Sequence, residues 1–62
     1  MRCNMNEYFV CFDGINDYEE GYIYGDNYKE IVTQVENVLK ELGGGHADIF
    51  DEDGDFVEDI EI

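Results

Sequence analysis

The chain has 62 residues, and 17 Asp and Glu stand against Arg2, Lys29 and Lys40, for a formal charge of -14. That length fits one small domain over residues 1–62 and argues against an interdomain cleft or a large buried catalytic pocket. The charge excludes direct binding to nucleic-acid phosphates, which takes Lys and Arg, and argues against anionic membrane surfaces.

No apolar run approaches the ~20 residues of a spanning helix. No basic start followed by an apolar stretch suggests a secretory leader. The expected location is therefore the cytoplasm. Acidity of this size accompanies disorder in chains poor in apolar residues. Here hydrophobic residues make up 44% and aromatics 15%, and they are patterned.

Met1 to Asn6 is polar. Glu7 to Phe12 is short, aromatic or β-branched and apolar on both faces, which predicts an interior strand. Asp13 to Tyr18 carries turn chemistry headed by Asp13-Gly14. Glu20 to Tyr24 predicts a second strand, close enough for an antiparallel hairpin. Asn27 with Glu30 fits a helix capping box, with Asp26 as the alternative cap. Ile31, Val32, Val35, Val38, Leu39 and Leu42 then form one apolar helical stripe, which Tyr28 extends backwards. Gly43-Gly44-Gly45 ends the helix.

His46 to Phe50 predicts a third strand, and Asp51 to Asp55 a turn. Phe56 to Ile62 alternates strictly, with Phe56, Glu58, Ile60 and Ile62 on one face and Val57, Asp59 and Glu61 on the other. That is a second hairpin, with Asp53-Gly54 as a type I′ centre. The predicted class is α+β in the order β-β-α-β-β. Three to four antiparallel strands would carry one amphipathic helix packed on one face.

Asp51, Asp53 and Asp55 match the first positions of a calcium-binding EF-hand loop. The match fails at Phe56, where Gly is needed, and at Ile62, where a bidentate Glu is needed. A solvated hairpin turn is the preferred reading over a weak cation site, and no metal or cofactor is expected. Cys3 and Cys11 make no disulfide framework, and a bridge between them is not signalled. His46 is the sole histidine, and nothing flanks it or a Cys as a nucleophile triad requires. Carboxylate pairs abound without the desolvated groove that general acid catalysis uses. The glycine run closes a helix rather than opening one over a phosphate. The chain is not expected to be an enzyme.

Five tyrosines crowd the first half. If Ile23 faces the helix, Tyr22 and Tyr24 share the open face of the sheet. They then serve either cross-strand packing or an interface anchor. The acids concentrate in the second half: from Ala47 onward there are eight and no base. Asp59 and Glu61 repeat at ~6.7 Å on one face of a strand, and Glu58 projects from the other. Asp48 and the turn acids Asp51, Glu52, Asp53 and Asp55 extend this negative edge, and Glu30 and Glu41 share a helix stripe. Rigid carboxylates at such a pitch can stand in for a phosphate backbone before a surface rich in Arg and Lys.

In size, charge and compact α+β character, over its whole length, the chain resembles the small acidic inhibitors that bacteriophages and mobile elements carry against host nucleic-acid enzymes. DNA mimics and several anti-CRISPR proteins are of this kind. The resemblance rests on no shared motif and transfers no binding residue. It implies a stoichiometric blocker of a basic nucleic-acid-binding protein, for instance a CRISPR effector. The candidate contacts are the acids Asp48, Asp51, Glu52, Asp53, Asp55, Glu58, Asp59 and Glu61, with Tyr22 and Tyr24. The alternative is an acid-adapted, halophile-type or general protein-interaction domain whose charge serves solubility. Monomer or dimer is the expected state, since like charges along Phe56–Ile62 oppose further edge pairing.

Overall fold

The computed structural model describes residues 6–62, so the expectations for Cys3 lie outside the described residues. The elements are β1 (Asn6–Gly14), β2 (Tyr18–Gly25), α1 (Tyr28–Glu41), β3 (Gly45–Phe50) and β4 (Phe56–Glu61). They give the expected α+β order, and all four strands join one antiparallel sheet ordered β2-β1-β3-β4. β1 is interior, which is why its sequence is apolar on both faces. Tyr8, Val10 and Phe12 turn to the helix, and Phe9 and Cys11 lie on the opposite face.

The helix begins where its cap predicts. Asn27 Oδ1 accepts the Glu30 N–H at 3.0 Å, and Glu30 Oε1 accepts the Asp26 N–H at 3.0 Å. The reciprocal half of the capping box therefore falls one residue earlier than in the standard motif. At the other end the Gly44 N–H reaches Leu39 O at 2.8 Å and the Gly43 N–H reaches Lys40 O at 3.2 Å, a Schellman closure. Ile31, Val35, Leu39 and Leu42 are buried against Val10, Phe12, Ala47 and Ile49. Each fully buried Val, Leu or Ile side chain contributes about 1.5–3 kcal/mol. Val32 stays half-buried at the margin.

Among the described residues no polar or charged residue is buried. The acids therefore act on one another through solvent or across half-exposed surfaces. No described helix is long and apolar enough to cross a membrane.

Three local expectations are corrected. Asp13 and Gly14 do not head a turn: they stay in the ladder, because Asp13 pairs with Tyr18 and His46 and Gly14 pairs with Gly45. The β3–β4 turn is not type I′, which needs positive φ at both central residues. Among the described residues only glycines have positive φ, and Gly54 sits at 87°. The Gly54 N–H bonds Asp51 O at 3.0 Å, and the Asp51 N–H bonds Asp55 O at 2.9 Å. This is a three-residue loop over 52–54 closed by a left-handed glycine.

The strict alternation of β4 is also broken. Ile49 pairs with Glu58 but Phe50 pairs with Phe56, so Val57 is an extra residue bulging from the ladder. Phe56 consequently leaves the face of Glu58 and Ile60 and joins the opposite one.

Candidate functional site: the open face of the sheet

Residues paired across antiparallel strands point to the same side, so the register writes the open face as rows. One row is Tyr22, Phe9, Phe50 and Phe56. The next is Glu20, Cys11, Asp48 and Asp59, and the third is Tyr18, Asp13, His46 and Glu61. Tyr24 beside Glu7 flanks the aromatic row on its other side. Among the described residues no Lys or Arg lies on this face: Lys29 and Lys40 belong to α1, which covers the other face.

The aromatic row is continuous. Ring centroids are 5.2 Å apart for Phe9–Tyr22, 6.5 Å for Phe9–Phe50 and 5.9 Å for Phe50–Phe56. The end members are open to solvent, Tyr22 at 62% and Phe56 at 59%. A groove of about 540 Å³ opens here, lined by Phe9, Tyr22 and Phe50 of the row together with Glu7, Cys11, Asp51, Glu52 and Gly54. The Tyr24 hydroxyl donates to Glu7 Oε2 at 3.2 Å, and the Tyr18 hydroxyl donates to Glu20 Oε1 at 2.9 Å. The negative charge of Glu7 raises the Tyr24 pKa, and the bond to Glu20 raises that of Tyr18. Both phenols stay neutral donors.

His46 is the one basic side chain among these rows. Its Nε2 lies 3.3 Å from Asp13 Oδ2 and its Nδ1 3.3 Å from Asp59 Oδ1. The Nδ1 atom is buried without a well-directed hydrogen bond. Burial, the largest single influence, pulls the imidazole pKa down. Asp59, with Asp13 and Asp48 behind it, outweighs that and holds the pKa above the ordinary 6.5.

The sequence candidates divide into three places. Asp48, Asp59, Glu61, Tyr22 and Tyr24 share the open face, and Ile23 packs toward the helix as that arrangement requires. Glu52, Asp53 and Asp55 stand exposed in the turn at the end of the sheet. Asp51 belongs to that turn's architecture, since its Oδ1 accepts the N–H groups of Asp53 at 2.9 Å and Asp55 at 3.0 Å. Glu58 sits on the helix side, where it accepts the Tyr28 hydroxyl. Burial of the Tyr28 ring and that bond raise the Tyr28 pKa. The helix acids Glu30 and Glu41 lie on the far side of the sheet from the acids of the open face.

Sequence reading missed Phe9, Phe50 and Phe56 as a row, and missed Asp13 and His46 as a pair. The period of two was visible in each strand. The pairing order that lines the strands up was not.

Two clusters bring potential metal-ligand atoms within 4.8 Å of one another: His46, Asp48 and Asp59, and Asp51, Asp53 and Asp55. In the first, His46 is already bracketed by carboxylates. In the second, Asp51 is engaged by backbone. Comparison with protein-family models, curated proteins and solved structures gives no match.

Proposed function

We propose that this protein is a non-catalytic acidic inhibitor. It binds the basic nucleic-acid-binding surface of a host protein, such as a CRISPR effector or another nucleic-acid enzyme of the bacterial cytoplasm, and displaces the nucleic acid by mimicry. The observation that carries this reading is the open face, which holds Glu7, Asp13, Glu20, Asp48, Asp59 and Glu61 with no Lys or Arg among the described residues. Such a face focuses negative potential and speeds encounter with a basic groove. Carboxylates accept Arg in the same forked geometry as phosphate.

The test is competition between this protein and DNA or RNA for a basic nucleic-acid enzyme of the host, at two salt concentrations. Displacement that weakens as salt rises is expected. Neutralising Asp59 and Glu61 to Asn and Gln should weaken it about tenfold or more. The same neutralisation of Glu36 and Glu41 on the helix should change it little. Equal losses from both sets would reduce the charge to a general solubilising property, and absence of competition with every such enzyme would overturn the reading.

A further inference from the structure

The aromatic row is not accounted for by charge mimicry. A phosphate substitute needs carboxylates, yet a Phe and a Tyr on the open face sit more than half exposed at its two ends. The Val57 bulge adds the fourth ring to the row by turning Phe56 away from the helix side. Exposed apolar surface of this kind marks a contact site or a liability.

The chemistry around the row selects its occupant. A second copy laid face to face would set Glu20, Asp48, Asp59 and Glu61 against carboxylates of their own kind, which repel. A purely apolar segment would cover the charges of Glu7, Glu20 and Asp48 without supplying a counter-charge, at a large desolvation cost. A cationic side chain satisfies both rings and acids. Arginine does so best, because its planar guanidinium stacks on a ring while its edge donates in a fork to a carboxylate. Lysine offers a compact, strongly hydrated charge instead.

Spacing agrees with an extended segment. Ring centroids along the row lie 5.2 to 6.5 Å apart, and alternate side chains of an extended chain repeat every ~6.7 Å. A segment crossing the strands sets every second side chain over the next ring.

We propose that the row Tyr22, Phe9, Phe50 and Phe56, with Glu7, Glu20, Asp48 and Asp59 on its flanks, docks an arginine-bearing extended segment of a partner protein. The inference rests on the acidic-inhibitor reading for the partner's being basic, and it adds that the contact is arginine on aromatic rings. It predicts a discrimination that charge alone does not supply.

The experiment titrates the whole protein at about 150 mM salt, where long-range attraction is largely screened. One short peptide alternates Arg with Ser, and a second alternates Lys with Ser. The ring-proton NMR signals report binding. The Arg peptide is expected to bind about tenfold tighter than the Lys peptide. It should shift the Phe9, Tyr22, Phe50 and Phe56 signals first. The exposed double variant Tyr22→Ala, Phe56→Ala, with its fold checked by circular dichroism, should lose the preference and keep the residual binding. Equal affinity for the two peptides, or a preference that survives in the double variant, overturns the docking surface and leaves the inhibitor reading standing. A preference that depends on these rings supports the docking surface, even where competition with nucleic acid fails and the inhibitor reading falls.

Discussion

At the scale of single residues, His46 is the most informative position. It is the only histidine in the chain, so its ring signals are unambiguous. Its pKa is held above 6.5 against the opposing effect of burial, by Asp59, Asp13 and Asp48. The sign of the stability linkage follows. A histidine whose folded pKa exceeds its unfolded value contributes stability that is full below the unfolded value and fades as pH rises through the folded one. An NMR titration should therefore give a midpoint above 6.5. Asp59→Asn should move that midpoint down, and His46→Gln should remove the fall in unfolding free energy across that window. A midpoint at or below 6.5 in the native protein would show that burial, not the carboxylates, governs this ring.

At the scale of elements, the helix and the sheet were unequally legible in the sequence. The helix was readable because its signals are local: Asn27 and Glu30 cap it, six apolar residues define its stripe, and glycines close it. Asn27→Ala should cost about 1 kcal/mol in urea unfolding, with an unchanged denaturant slope; no loss would mean that Asp26 takes over the cap. Strand identity was readable as well, down to Tyr22 and Tyr24 on one face. The Val57 bulge was not, because strict alternation from Phe56 to Ile62 leaves no mark of an extra residue. The bulge exists only relative to β3, where Phe50 pairs with Phe56 while Ile49 pairs with Glu58. Pairing of β1 with β3 across more than thirty residues was equally invisible, and it brings Phe9 to Phe50 and Asp13 to His46. Half of the candidate site was thus a property of strand order. Glu58 lies on the face opposite Asp59 and Glu61, as the alternation predicts, and there it accepts the Tyr28 hydroxyl, a partner that only the tertiary fold supplies.

At the scale of the whole molecule, the charge of -14 surrounds a core with no buried polar or charged residue among the described residues. Lowering ionic strength from about 150 mM to about 10 mM lengthens the screening distance from ~8 Å to ~30 Å. Nearly every pair of acids then feels every other. The melting temperature should rise with added salt, by about 4–8 °C for each ~1 kcal/mol of repulsion relieved. A flat melting temperature across that range would mean that the unfolded chain repels itself as strongly as the folded one.

The two edges of the sheet are differently guarded. On β4 the Val57 bulge bends and twists the outer ladder, which makes it a poor template for another strand. The eight residues of β2 pair with β1 without a register break. Near Tyr24, Gln34 of α1 occupies one outward carbonyl at 2.7 Å. Elsewhere along β2 the guards are the charges of Glu19 and Glu20. A strand offered by another copy would therefore meet a regular ladder at β2 and a broken one at β4, so the two sides of the molecule are not equivalent templates.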